Sequence, residues 1–117
     1  MTNDATREPE LPLTEATFCI LLSLAPGPNH GYAMLKDVQQ LSAQRVVLST
    51  GTLYGALKRL LDQGWIARVD PDPAAALGRN QKAYQLTDHG RRVLAAEAAR
   101  LRSLIRVAVG RQVVAEL

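Results

Sequence analysis

The chain has 117 residues, 47% of them hydrophobic, with 14 Lys and Arg against 11 Asp and Glu, for a formal charge of +3. That is the size of one domain with ample apolar material, and an aromatic content of only 4% leaves an aliphatic core that favours helices packed on helices. A lone cysteine, Cys19, excludes an intrachain disulfide and a cysteine-based metal framework, while the moderately basic balance admits nucleic acid as a partner.

Residues 1–12 carry Asp4, Arg7, Glu8 and Glu10 with Pro9 and Pro12 and show no periodicity, so they are expected to form a flexible tail. This acidic start lacks the basic flank and apolar run of a signal peptide. The longest apolar run, Phe18 to Ala25, is broken by Ser23 and ended by Pro26, far too short to span a bilayer. A soluble, cytoplasmic protein with no membrane partner is expected.

Thr14 is placed to cap a first helix running to about Ala25, with Glu15 at its positive end. Pro26-Gly27-Pro28 forces a stop and a turn. A second helix is predicted from Gly31 to about Leu41, with Tyr32, Leu35, Val38 and Leu41 inward and Lys36, Asp37, Gln39 and Gln40 outward. Arg45 to Leu48 reads as a short β-prone piece, after which Ser49 or Thr50 caps a third helix.

That third helix carries the most information. Leu53, Leu57, Leu60 and Leu61 recur at helical spacing and define a buried face. Thr50, Tyr54 and Lys58, four residues apart, form a stripe on another face with two hydroxyls and a positive charge. A helix that packs on one side and presents phosphate-binding and base-reading groups on the other is what a DNA recognition helix requires. Gly64 ends it, Trp65 to Val69 reads as a strand, Asp70 to Asn80 as a hairpin loop, and Gln81 to Leu86 as a second strand. Two strands joined by a loop that carries Arg79, directly after a recognition helix, make a wing.

Thr87-Asp88 opens a last, long helix. Leu94, Ala98, Leu101, Ile105 and Ala108 form an apolar stripe on it, broadened by Leu104, Val109 and Val113. One small winged domain cannot cover that stripe, so a second copy of the chain is expected to. The fold class is therefore mainly α with a small β-hairpin wing: a winged helix-turn-helix over residues 13–87, followed by a C-terminal dimerisation helix over residues 88–117.

Leu24-Ala25-Pro26-Gly27-Pro28-Asn29-His30-Gly31-Tyr32 resembles the L-x-x-G-P-x-H-G-Y signature of PadR-type transcriptional regulators. Gly51-Thr52-Leu53-Tyr54-x-Ala56-Leu57-x-Arg59-Leu60 resembles the recognition-helix motif of that family, followed by Gly64-Trp65-Ile66. Gly78-Arg79, then Lys82-Ala83-Tyr84-x-Leu86-Thr87-x-x-Gly90, resembles its wing strand and the start of its last helix. The resemblance covers roughly residues 14 to 100. It implies a homodimeric repressor that binds pseudo-palindromic double-stranded operator DNA and is relieved by a small-molecule effector or another signal. The single helix after the wing is similar to the short-form subfamily. Two positions depart from the pattern. Gly55 replaces a common Pro, at a cost of about 1 kcal/mol relative to Ala in a helix, and Ala83 stands where a second aromatic often precedes Tyr84.

The residues expected at DNA follow from these readings. Tyr54 offers its hydroxyl to a phosphate or base edge, against the alternative of packing on the wing. Lys58 is read as a phosphate contact, and Arg59 as either a DNA contact or a partner of Asp62. Ser49, Thr50 and Thr52 lie at a helix N-terminus that can both be capped and hold a phosphate. Tyr32 and Lys36 resemble the backbone clamp of the family, and Arg79, Asn80 and Lys82 would approach the minor groove or its phosphates. Dimerisation is assigned to Leu94, Ala98, Leu101, Leu104, Ile105 and Ala108. His30 and His89 lack ligand neighbours at metal spacing, so no metal or other cofactor is expected; His30 is read as capping or packing in the turn. Cys19 reads as an inert buried thiol. The arginines of the last helix read as a solvated face, with only Arg91 and Arg92 near the wing. No aromatic residue follows Thr87, which argues against an aromatic-sandwich effector pocket. Two rival readings are a winged module that binds protein rather than DNA, which predicts a depleted basic surface, and an enzyme, for which no nucleophile–base set, carboxylate pair or phosphate loop exists.

Overall fold

The structure, a computed structural model, describes residues 11–69 and 82–115. In chain order it contains α1 (Glu15–Ser23), β1 (Asn29–His30), α2 (Gly31–Leu41), α3 (Thr50–Asp62), β2 (Ile66–Val69), β3 (Ala83–Leu86) and α4 (Asp88–Gly110). The strands form one antiparallel sheet in the order β1-β3-β2. Its register sets Ile66 opposite Leu86 and Arg68 opposite Tyr84 on one side of β3, and Asn29 opposite Tyr84 on the other. The segment 70–81 between β2 and β3, which holds the predicted hairpin loop, lies outside the described residues, as does the predicted tail up to residue 10. No described helix is long and apolar enough to cross a membrane.

Three of the four helices begin in the same way. The hydroxyls of Thr14, Ser49 and Thr87 accept the backbone N–H three residues on, at 3.1, 3.1 and 3.0 Å, a cap worth about 1 kcal/mol each. At the end of α3 the N–H of Trp65 reaches the Leu60 carbonyl at 3.1 Å and that of Gly64 the Leu61 carbonyl at 3.0 Å. This paired reversal needs a left-handed residue after the helix, and Gly64 supplies it with φ +76°.

Leu21, Leu24, Met34, Val38, Leu53, Leu57, Leu60, Ile66, Tyr84 and Val93 are buried together in one core. Cys19 belongs to it, and burial pushes its thiol pKa up, with the Glu15 charge acting in the same direction. α2 turns differently from its predicted inward set. Met34 and Val38 are buried, while Tyr32 and Leu41 are exposed. The wide apolar pattern at 32, 35, 38 and 41 has no partner surface at both of its ends.

Two further local expectations change. Residues 45–48 alternate as a strand would, with Val46 and Leu48 packed on the core and Val47 exposed, yet no sheet edge runs beside them and they remain a loop. The free edge of β3 is taken instead by Asn29–His30, two residues too few to show a pattern in sequence. The turn after α2 is held by Ser42, buried, whose hydroxyl accepts from Val46 N–H at 2.9 Å and donates to the Gln39 carbonyl at 3.3 Å. Arg45 then pairs with Glu15 of α1, which lowers the Glu15 pKa chiefly through that hydrogen bond.

The N-terminal half of α4 belongs to this core, burying Gly90, Val93, Leu94 and Glu97. Gly90 lies directly on the backbone of Trp65. A methyl group there would come within 2.7 Å of the Trp65 carbonyl carbon and closer still to its oxygen. Glu97, buried, accepts the N–H of Leu13 at 2.9 Å and two bonds from Arg100 at 2.6 and 3.0 Å. The Arg100 hydrogen bonds hold its carboxyl pKa below the ordinary value against the opposing effect of burial, and the Leu13 N–H adds to the lowering.

Gly90→Ala is expected to destabilise the fold by about 3 kcal/mol or more, because the obstacle is backbone and cannot swing aside; urea denaturation measures this. Because the Glu97 pKa is depressed on folding, its contribution to stability is present above the unfolded carboxylate pKa and is lost as pH falls through the folded value. Unfolding midpoints taken from pH 7 down to pH 3 should therefore fall less steeply in Glu97→Gln than in the parent chain.

Candidate nucleic-acid interface

The buried residues of α3 are Leu53, Ala56, Leu57 and Leu60, which leaves Thr50, Gly51, Tyr54, Gly55, Lys58 and Asp62 on the exposed side. Thr50, Tyr54 and Lys58 thus share an open face. Ser49 is the N-cap, and its hydroxyl also donates to Thr52 Oγ1 at 2.9 Å, so both side chains are engaged in capping and the N–H groups of Thr50 and Gly51 are left at the helix end. Lys58 pairs with Asp62 one turn on, at 3.8 Å, with the two side chains 79% and 70% exposed.

Arg59 takes a different direction. It lines a cleft of about 190 Å³ with Pro12, Thr14, Gln63 and Trp65, at the foot of α1 and on the flank of α3 that carries Thr52 rather than Tyr54. The partner that sequence spacing suggested for it, Asp62, is taken by Lys58.

On α2, Tyr32 is 67% exposed and the ammonium of Lys36 stands 5.2 Å from its ring centroid, a cation–π contact that holds both groups on one side of the helix. Among the described helices α2 is the one whose N-cap residue, His30, makes no side-chain capping bond. Tyr54, 38% exposed, extends from α3 toward this end of α2, its ring tip against Gly31. Beneath it lies Tyr84, whose hydroxyl pKa is raised first by burial and then by proximity to Tyr54, while the positive charge of Arg68 acts in the opposite sense.

The wing contributes Lys82, exposed just before β3, whereas Arg79 and Asn80 lie outside the described residues. Arg68, exposed on β2 opposite Tyr84, is a basic group at the root of the wing that sequence reasoning did not single out. Its signal was present: it is the one charged residue in an otherwise apolar strand. Arg91, at the start of α4, donates to the Ala25 carbonyl at 3.4 Å. Tyr32, Lys36, Tyr54, Lys58, Arg68 and Lys82 are therefore basic or phenolic groups on the elements that frame the helix-turn-helix and its wing, suited to hydrogen-bonding and neutralising phosphates.

Residues 20–96 match the sequence profile of the Transcriptional regulator PadR-like family. The chain belongs to that family. Solved PadR structures share the fold. A PadR family transcription regulator from Clostridium difficile superposes with a TM-score of 0.67 at 26% identity, over 80% of this chain and 93% of its own. Bacillus subtilis PadR, in a complex with operator DNA, does so with a TM-score of 0.61 at 26% identity, over 74% of this chain and 48% of its own. An uncharacterized 37.1 kDa protein of a Streptomyces fradiae transposon is 39% identical over 84 residues, which are 72% of this chain. The chain spans only 22% of that protein's length. The winged helix-turn-helix with a long C-terminal helix is thus the PadR arrangement.

Since the Lys58–Asp62 pair is solvated on both sides, Lys58→Gln should change the unfolding free energy by less than about 0.5 kcal/mol, a result that urea titration would check.

Proposed function

We propose that this PadR-family protein is a homodimeric, sequence-specific DNA-binding regulator that represses transcription from a pseudo-palindromic operator and is released by a small molecule or other signal. The observation that carries the reading is the exposed Thr50–Tyr54–Lys58 face of α3 on a PadR fold, with Tyr32 and Lys36 also exposed on α2. In this reading α3 enters the major groove, with Tyr54 and Lys58 at phosphates or base edges and the N-terminus of α3, with Ser49, Thr50 and Thr52, at a phosphate. Tyr32 and Lys36 clamp the backbone, and Arg79, Asn80 and Lys82 of the wing approach the minor groove. Arg59 serves the flank of the helix, where its distance from the Tyr54 face makes it the weakest member of the set. The DNA-bound state of the Bacillus subtilis relative supports this use of the fold.

The dimer is assigned to α4. Its inner face continues past Glu97 beyond the reach of the domain core: Leu101 and Ala108 are half-buried, while Leu104 and Ile105 are 54% and 39% exposed. Leu94 is already in the core and Ala98 is exposed beside it. A second copy laid along this face would bury it and would fix two recognition helices about one helical turn of DNA apart or a multiple of it. An effector would then act by favouring a dimer whose recognition helices are mis-spaced.

Fluorescence anisotropy with DNA from upstream of its own gene, against scrambled DNA over a salt series, tests the proposal. Tight, sequence-dependent binding weakened by Tyr54→Ala and by Arg79→Ala is expected. Lys58→Gln should weaken binding to all sequences alike and reduce the salt slope by about one. Salt-sensitive binding that is equal on both DNAs would remove specificity at this promoter, and no binding by a folded dimer would favour a protein-interaction role. Analytical ultracentrifugation should find the parent chain dimeric and a Leu104→Glu/Ile105→Glu variant monomeric.

A further inference from the structure

We infer that Gly31 is the residue that positions Tyr54 for DNA, by leaving vacant the space that any other side chain at 31 would fill. The inference rests on the DNA-binding reading for its functional consequence, and on geometry alone for the seat itself.

Gly31 is the first residue of α2, and its φ is not positive, unlike those of Gly27 and Gly64 among the described glycines. The backbone therefore does not require glycine here, and glycine is an inferior helix former. Space requires it. A Cβ built on Gly31 would stand 2.9 Å from Cζ and 3.4 Å from Cε2 of Tyr54, and nearer still to the hydroxyl oxygen; these are its three nearest neighbours. The glycines on α3 itself are different, since a Cβ at Gly51 or Gly55 would meet nothing within 4 Å.

Tyr54 thus leans across the open N-terminal turn of α2 and rests its tip on bare backbone. That posture brings the phenol of α3 to the first turn of α2, the helix that carries the exposed Tyr32 and Lys36 on its outer side. The phenol is thereby held in one place before any ligand arrives, and such preorganisation is what a phosphate contact needs. A methyl group at 31 would force the ring tip aside. Because Tyr54 is 38% exposed, it can swing outward into solvent in another staggered rotamer. The fold would survive that movement at a small cost in packing, but the hydroxyl would leave its place. Gly31 is a positioning residue, acting only through Tyr54.

The test is a double-mutant cycle of Gly31→Ala and Tyr54→Ala in the full chain. Affinity is read by anisotropy on the upstream DNA and stability by thermal melting. Gly31→Ala is expected to weaken binding by about tenfold or more, the loss of one hydrogen bond to a charged group. In the Tyr54→Ala background the same change should alter affinity by less than about twofold, since the ring it would displace is gone. Wild-type affinity in Gly31→Ala, or an equal loss in both backgrounds, would overturn the inference. If the parent chain itself binds no DNA, the functional reading fails separately and melting decides the seat. A drop in melting temperature for Gly31→Ala that disappears in the Tyr54→Ala background supports it, and an equal drop in both overturns it.

Discussion

The turn at Gly64–Trp65 is the constraint on which the rest of the molecule depends. Its carbonyls bind the start of the long helix: Trp65 accepts the N–H of Thr87 at 3.1 Å and Gly64 accepts the Thr87 hydroxyl at 2.6 Å. The same hydroxyl caps α4 through Gly90, and Gly90 lies flat on the Trp65 backbone. The end of α3 and the beginning of α4 are therefore one structural unit, fastened by backbone groups that cannot relax independently. His89 adds an edge-on contact to the Trp65 ring, with centroids 6.5 Å apart. A dimer built on α4 would pass its geometry to α3 through this joint, because any change in the direction of α4 must strain or break these bonds.

The second fastening is at the other end of the core. Glu97 is buried beneath the Leu13 amide and neutralised by Arg100, so the segment leading into α1 is tied to the middle of α4. A carboxylate this enclosed is tolerated only because its oxygens are satisfied, and no buried side-chain polar atom among the described residues lacks a partner. The ion pairs Glu15–Arg45 and Lys58–Asp62 lie at the surface, where such pairs contribute little. The apolar core and these two joints, rather than surface charge, hold the scaffold on which the phenolic and basic groups are mounted.

α3 divides its residues by face. Leucines and Ala56 anchor it, Ser49 caps it, Gly64 stops it, and Thr50, Tyr54 and Lys58 lie on its open side. Separating the two tasks lets Lys58 or Thr50 change without loss of packing. Tyr54 is the exception, since it touches α2 as well as facing outward, and it couples the position of one helix to the other.

Much of this was legible in the chain because it depends on local rules. Helical spacing of leucines, capping hydroxyls at 14, 49 and 87, and glycine at 64 act over a few residues, and they placed all four helices and both wing strands. The exposed polar stripe of α3 followed from the same periodicity. What tertiary structure alone decided involves contacts between residues remote in sequence. One edge of β3 is filled by Asn29–His30, which the turn after α1 delivers there, whereas Val46 and Leu48 alternate without joining the sheet. Tyr32 and Leu41 are exposed because the core surface does not extend beneath both ends of α2. Glu97 is buried because the Leu13 amide, 84 residues away in the chain, lies above it. Arg59 stands on a different flank of α3 from Tyr54 by helical spacing alone, but the cleft it lines with Pro12 and Thr14 depends on where the chain before α1 lies, and no pattern within a single helix encodes where its neighbours will stand.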